Sequence, residues 1–380
     1  MRIAQLTYST KPRGGVVHTL ALAEALTARG HDVQVWTLGR GSDTAFFRPV
    51  DPRVTVHVVP FSARDGEDVG ARIERSIQTM TAAFDITADI VHAQDCISAN
   101  AATRRGLDVV RTIHHLDAFT TPQLVECHDK AITEPIARLC VSHAVAHEVE
   151  ETFGLLPTVI PNGVDSRRFA AAASPTGASG RARWREQLGD YVLALGGIEP
   201  RKGSLDLLEA YAHARTAHRA LQLVFAGGET LFDYRDYRER FDERARALGI
   251  TPLILGTVDE SDLPALVAAA RALAFVSTKE GFGLAAMEAL AAGIPVIARD
   301  LPVIREVFGG TVRYASSPEQ IASQLGRILT DRSPHDPQAG FDLAARHTWE
   351  TAAAAHEAFY QQILRGGDDE RQSDVLTDHR

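Results

Sequence analysis

The chain has 380 residues, more than one hydrophobic core comfortably holds, so two domains are expected. Hydrophobic residues at 45% and charged residues at 23% are ordinary globular usage and exclude wholesale disorder. A net charge of −9 without a basic stripe excludes nucleic acid as the main partner; a small anionic substrate stays open, because a cleft can be locally basic in an acidic protein.

Cys96, Cys127 and Cys140 show neither CxxC nor metal-like spacing, so a reducing, cytoplasmic setting is expected. Residues 1–6 run straight into Thr7 and Tyr8, too short and polar for an apolar leader. No run approaches the ~18–20 apolar residues of a membrane span. That leaves peripheral membrane contact open, though no basic amphipathic stretch supports it.

Short β-branched runs alternate with amphipathic stretches. Residues 2–8 read as a strand and 16–28 as a helix with Leu20, Leu22, Ala23 and Leu26 on one side; Gly30 stops it and 32–37 is the next strand. Further strands are expected over 54–59, 89–93, 109–113, 138–142 and 158–160. Residues 170–182, rich in Ala, Ser, Gly and Pro without periodicity, read as a loop near a domain boundary. A second series follows, with strands over 191–195, 221–226, 252–255, 272–276, 295–298 and 311–314. Its helices are expected over 204–217, 236–248, 263–270 and 284–291. After a Pro-rich break at 333–337 a helix is expected over 341–364, and the polar residues 366–380 read as a disordered tail. The pattern implies an α/β protein with two doubly wound, Rossmann-like domains, each binding ligands beyond the carboxyl ends of its strands.

Three strand-end segments can carry chemistry. Gly14-Gly15 follows the first strand and opens the first helix, where backbone amides can approach an anion; a tight turn without a ligand is the alternative. The dinucleotide pattern G-x-G-x-x-G is absent. Arg201-Lys202-Gly203 places two cations just before a helix, unfavourable to its dipole unless an anion such as a diphosphate joins them. Glu280-Gly281-Phe282-Gly283-Leu284, with Glu288 one turn further, combines a glycine turn with two carboxylates able to accept hydrogen bonds from sugar and ribose hydroxyls. His114 and His115 close the strand 109–113, and His92 ends another; each is either a cleft group or an ordinary buried histidine. No HExxH, paired CxxC or G-x-S-x-G is present, so neither a metal nor a serine nucleophile is expected.

These residues resemble the retaining GT-B glycosyltransferases of family 4. The matching pieces are Gly14-Gly15 with Leu22, Ala23, Leu26, Gly30 and His31; Ile160-Pro161-Asn162-Gly163-Val164-Asp165 with Phe169; Lys202-Gly203; Ala226-Gly227-Gly228; Glu280 to Leu284 with Glu288 and Ala289; and Ala292-Gly293 with Pro295-Val296. The resemblance implies an acceptor domain over 1–165 and a donor domain over 166–344, facing each other across a cleft. It also implies a last helix, 345–365, that returns to the first domain. A nucleotide-diphosphate sugar (a UDP- or GDP-sugar) would be the donor and no cofactor is implied; the acceptor stays unknown. Lys202, with Arg201, would bind the diphosphate, Glu280 the donor sugar and Glu288 the ribose. Phe282, Gly283 and Leu284 would contact sugar or phosphate through backbone amides, Gly14 and Gly15 would meet the diphosphate, and His114 would lie near the sugar. His114, Lys202 and Glu280 are thus the expected catalytic residues. Family members carry an arginine five residues before the lysine, and here that position is Gly197. A phosphorylase or sugar-nucleotide epimerase on the same fold, or a non-catalytic nucleotide-sugar binder, are the competing readings.

Overall fold

A computed structural model describes residues 1–117, 119, 121–228, 234–330 and 336–377, the last eleven without their side chains. It divides into two units, residues 1–163 with 349–380, and residues 164–348.

The first unit is built on β1 (Arg2–Leu6), β2 (Asp32–Leu38), β3 (Thr55–Val59), β4 (Ile90–Ala93), β5 (Val109–Ile113), β6 (Ala137–Cys140) and β7 (Thr158–Val159). All pair in parallel, in the order β3-β2-β1-β4-β5-β6-β7. The order reverses between β1 and β4, which opens a crevice at their carboxyl ends. The helix Gly14–Ala28 buries Val16, Leu20, Ala23 and Leu26 against Ile3, Val33 and Val35. Each leucine so buried contributes about 1.5–3 kcal/mol. The last helix, Trp349–Thr377, packs into the same core through Ala353 and Tyr360. Side-chain caps hold the strand-to-helix turns: Asp95 accepts from Ser98 N at 2.8 Å and Ser142 from Val145 N at 3.3 Å.

The second unit repeats the plan with β8 (Tyr191–Leu195), β9 (Gln222–Ala226), β10 (Leu253–Ile254), β11 (Ala272–Phe275), β12 (Val296–Arg299) and β13 (Arg313–Ala315). The order is β10-β9-β8-β11-β12-β13, again all parallel, with the reversal between β8 and β11. The loops after β8 and β9 press together so closely that a Cβ on Gly227 would lie 2.3 Å from the carbonyl carbon of Gly196. Gly203, at φ 64°, leaves its short 3-10 turn against the Val276 carbonyl, 2.4 Å from where a Cβ would stand.

Two expectations are corrected. Residues 170–182 are not a loop: Ser166–Ala173 and Ala178–Leu188 are helices joined by a 3-10 turn at Pro175–Gly177. Asp165 caps the first of them through Arg168 N at 3.2 Å, and its alanines favour helix more than the interspersed Ser and Gly oppose it. The tail from 366 is likewise helical to Thr377, because Glu370, Arg371 and Gln372 are good helix formers that extend an existing helix without a new nucleus. Leu231, Phe232 and Asp233, weighed as a loop that might narrow a donor site, lie outside the described residues, as do Ser333, Pro334 and His335.

Candidate active site

In the second unit the loops after β8 and β11 meet at the switch point. The 3-10 turn Pro200–Lys202 aims Lys202 Nζ at Glu280 Oε1, 2.7 Å away, and Arg201 Nη1 reaches the same oxygen at 3.2 Å. Thr278 N donates to the Arg201 carbonyl at 2.8 Å, tying the two loops together through the backbone. Burial pushes the Glu280 carboxyl up, but Lys202 and Arg201, with hydrogen bonds from Lys202 and Ser277, outweigh it and hold the group at about 2. Glu280 is therefore ionised at any working pH and keeps two cations in place. The guanidinium beside Glu280 is that of Arg201. A Cβ on Gly197 would lie 2.7 Å from the Gly228 carbonyl oxygen, so an arginine there requires the loop to shift.

The turn after Glu280 ends at Gly283, at φ 103°, the N-cap of the helix Leu284–Ala291. A Cβ there would come within 2.9 Å of the Phe308 ring. Phe282 turns its side chain into the interior beside His347, with ring centroids 5.6 Å apart, leaving the backbone of the turn as its polar face. Glu288 has other partners. Burial first, then the charge of Glu260 and, against the Arg168 guanidinium, that of Asp165 raise it to about 8. A carboxyl still protonated at neutral pH both donates and accepts, which suits a pair of vicinal hydroxyls. Its folded value exceeds the ordinary 4.5, so its stabilising effect is complete below about pH 4.5 and is lost as pH rises through about 8. Glu288→Gln cannot ionise and is expected to remove a decline in unfolding free energy of up to ~1.4 kcal/mol per pH unit between pH 5 and 8. Urea unfolding across that range checks it; parallel slopes for variant and parent would reject the assignment.

In the first unit, Gly15 opens the helix after β1, and a Cβ on it would stand 3.7 Å from His114 Nε2 and 3.9 Å from the Gln94 carbonyl oxygen. Gly14 is exposed, and a Cβ on it would meet nothing within 4 Å among the described residues. His114 Nε2 lies 3.1 Å from Gln94 Oε1, and Gln94 Nε2 donates to Gln5 Oε1 at 3.1 Å. Gln5 Nε2 donates to Tyr360 Oη at 3.2 Å. Tyr360 Oη is 2.7 Å from His92 Nδ1, and His92 Nε2 is 2.7 Å from Thr112 Oγ1. Burial, followed by the charges of His18 and Arg111, holds His114 well below the ordinary imidazole value, so its ring is neutral. With Gln94 Oε1 accepting, His114 carries its proton on Nε2 and offers the Nδ1 lone pair as an acceptor.

The structure thus gathers Arg201, Lys202, Glu280 and the Phe282–Leu284 turn at one strand-end crevice of the second unit, and Gly15 with His114 at the corresponding crevice of the first. Several partners have no signature in the sequence. Gln5 is an isolated polar residue in an apolar run, while Gln94 and Tyr360 stand beside other polar residues, and the one available signal is that a buried polar side chain must be paired. His18 is missed as well: fully buried, it bonds Asn162 Oδ1 through Nδ1 at 2.8 Å and stacks edge-on to His114, with centroids 4.9 Å apart.

Comparison with known proteins follows this division of the chain. Residues 12–168 match the family model "Glycosyltransferase Family 4" and residues 182–347 match "Glycosyl transferases group 1". A glycogen synthase of Mycobacterium tuberculosis is 28% identical, over 96% of both chains. An MMP alpha-(1->4)-mannosyltransferase of Mycolicibacterium hassiacum is 27% identical, over 96% of this chain and 98% of its own. Among solved structures, Anabaena HepE in complex with UDP and glucose superimposes with a TM-score of 0.74 at 21% identity, over 95% of this chain and 100% of its own. The sucrose-phosphate synthase of Thermosynechococcus elongatus gives 0.77 at 19% identity, over 96% and 99%. Two parallel Rossmann-like units define an α/β glycosyltransferase fold of GT-B type. The chain belongs to the group 1, family 4 glycosyltransferases and is a transferase. Among the described residues no helix is long and apolar enough to cross a membrane.

Proposed function

We propose that the protein transfers a hexosyl group from a nucleotide-diphosphate sugar to an acceptor with retention of anomeric configuration. The observation that carries this reading is the pairing of Lys202 and Arg201 with Glu280 at the β8/β11 switch point: two cations and a glycine turn gathered where an anion can replace water. The second unit acts as the donor domain. Lys202 and Arg201 stabilise the departing diphosphate, Glu280 orients the sugar, Phe282, Gly283 and Leu284 offer backbone amides, and Glu288 holds the ribose. In the first unit, the acceptor domain, Gly14 and Gly15 meet the diphosphate, and the His114 Nδ1 lone pair accepts from a sugar hydroxyl.

Charge develops on the leaving diphosphate oxygen as the glycosidic bond breaks, so fixed cations lower the barrier most at that atom. We propose that this same oxygen takes the proton of the incoming acceptor hydroxyl on the face the nucleotide leaves, which preserves the anomer. The complexes of HepE with UDP and with UDP-glucose support a nucleotide-sugar donor by analogy of fold.

A thermal-shift screen of UDP- and GDP-sugars tests the donor. A true donor at a hundred times its Kd is expected to stabilise the fold by about 2.7 kcal/mol. No shift with any nucleotide or nucleotide sugar would reject the reading. Turnover that depends on free phosphate, or proceeds with no acceptor, would favour phosphorylase or epimerase chemistry instead.

A further inference from the structure

Four imidazoles meet inside the first unit, each brought by a different element. His18 comes from the helix Gly14–Ala28, His92 from β4, His114 from the residue after β5 and His356 from the last helix, Trp349–Thr377. Centroid to centroid, His18 lies 4.9 Å from His114, 5.9 Å from His356 and 5.4 Å from the Trp349 ring, and His92 lies 5.7 Å from His356. His18, His92 and His356 are all fully buried. Neither His18 nor His92 has a place for a second ring proton. His18 Nδ1 faces Asn162 Oδ1 at 2.8 Å, and its Nε2 is buried with no hydrogen-bond partner. His92 Nε2 faces Thr112 Oγ1 and its Nδ1 faces Tyr360 Oη, both at 2.7 Å. With Gln5 Nε2 donating to that hydroxyl at 3.2 Å, the hydroxyl's own proton goes to His92 Nδ1. His356 Nδ1 donates to the Ala352 carbonyl at 2.8 Å, which leaves Nε2 to take a second proton.

The surroundings oppose protonation. Burial first, then the charge of His356, holds His18 at about 3. Burial, then the charges of His356, His18 and Arg111, keeps His92 well below the ordinary imidazole value, and His114 feels His18, Arg111, His115 and His92 in the same sense. Burial, partly offset by the bond to Ala352, holds His356 at about 4. Among the described residues no carboxylate acts on His18, His92 or His356. Asp95, two residues past β4, acts on Arg111. On the last helix, Glu357 is paired with Arg29 at 2.5 Å and with His31 at 3.6 Å. Protonating His31 strengthens that pair and favours docking, but it is a single contact at the helix's solvent edge. The strands of the first unit end at β7, long before the last helix, so that helix can leave with every strand pairing intact.

We propose that this cluster is an acid-operated latch: protons taken up by His18, His92 and His356 undock the last helix from the first unit while the sheet stays paired. A histidine whose docked value is depressed contributes its full stability above its ordinary 6.5 and loses it as pH falls toward the docked value. The latch therefore holds near neutrality and weakens from about pH 6.5 downward, with His356 and His18 still neutral in the docked helix until about 4 and about 3. Tyr360 leaves with the helix, so the chain of bonds through Gln5 and Gln94 to His114 loses its far end. Docking of the helix involves no substrate and is independent of the transferase reading.

Hydrogen exchange of the full chain, followed by mass spectrometry from about pH 6.5 to about pH 4.5 and corrected for the intrinsic pH dependence of amide exchange, tests the latch. Protection over residues 350–364 is expected to fall by more than about tenfold, and up to about a thousandfold, per pH unit, because more than one and up to three rings take up a proton on release. The strands β1, β4 and β5 are expected to keep their protection over the same range. His18→Gln and His356→Gln cannot titrate, and each is expected to remove up to about tenfold per pH unit from that slope. Should either substitution prevent folding, the slope of the parent chain and the contrast between helix and strands decide by themselves. A fall of about tenfold per pH unit or less, loss of protection in the strands in step with the helix, or folded variants that keep the parent's slope would each overturn the proposal.

Discussion

Replacing Lys202 by alanine is expected to lower turnover at saturating donor by about a hundredfold or more, the loss seen when a single fixed group opposing transition-state charge is removed. The ammonium sits 2.7 Å from Glu280 Oε1 with its side chain 20% exposed, so its charge is poorly screened by water. Its removal has two effects. The diphosphate loses a counter-charge at the atom where negative charge grows, and Glu280 loses the larger of the two attractions that overcome its burial. The carboxyl should then rise from about 2 toward the ordinary range. Arg201 still reaches the same oxygen at 3.2 Å, so the carboxylate is not stranded and the fold should survive. A fall in turnover with little change in donor KM would mark a group that acts in the transition state. Arg201→Ala should cost less, because its Nη1 also donates to the Lys279 carbonyl at 3.2 Å and is oriented partly by that bond. A loss below about tenfold for Lys202→Ala, worth ~1.4 kcal/mol, would reject the leaving-group role.

The second-unit cluster was legible because its parts are local. A strand, a glycine, two cations and a helix start lie within about a dozen residues and so must meet at one strand end, and Glu280 to Glu288 repeats that logic one crossover later. The alternation of β-branched and amphipathic runs likewise carried both sheets, since each helix must cover one face of a parallel sheet. Residues 170–182 were misread because Ser, Gly and Pro outweighed alanine in a propensity reading, while the decisive signal was Asp165, a cap placed just ahead of the segment. Partners brought together by tertiary folding left no such trace. Tyr360 meets Gln5 across 355 positions, and Arg168 meets Glu260 across 92. Their pairing follows from burial, which periodicity reports, but their choice of partner follows from register, which it does not.

Tyr360→Phe should expose that tertiary layer. The ring is fully buried, and its hydroxyl is the one link between Gln5 Nε2 and His92 Nδ1. With Gln5 donating to Oη, the hydroxyl proton goes to His92 Nδ1, and His92 Nε2–H goes to Thr112 Oγ1; every bond from His114 to Thr112 then points one way. Turning both amides reverses the whole chain and moves the His114 proton from Nε2 to Nδ1, so the tautomers of His92 and His114 are coupled through the tyrosine. Phenylalanine keeps the volume but leaves a buried amide N–H and a buried ring nitrogen without partners, each costing about 1–3 kcal/mol. The variant should therefore lose about 2–5 kcal/mol of unfolding free energy, although the residue lies far along the chain from every motif. A merely structural role would stop there. If the chain also fixes the His114 proton, the ring 15N shifts of His114 should move from those of one tautomer toward an average of two, and turnover should fall with KM unchanged. Stability loss with unaltered His114 shifts would reduce Tyr360 to a packing residue and leave the orientation of His114 to Gln94 alone.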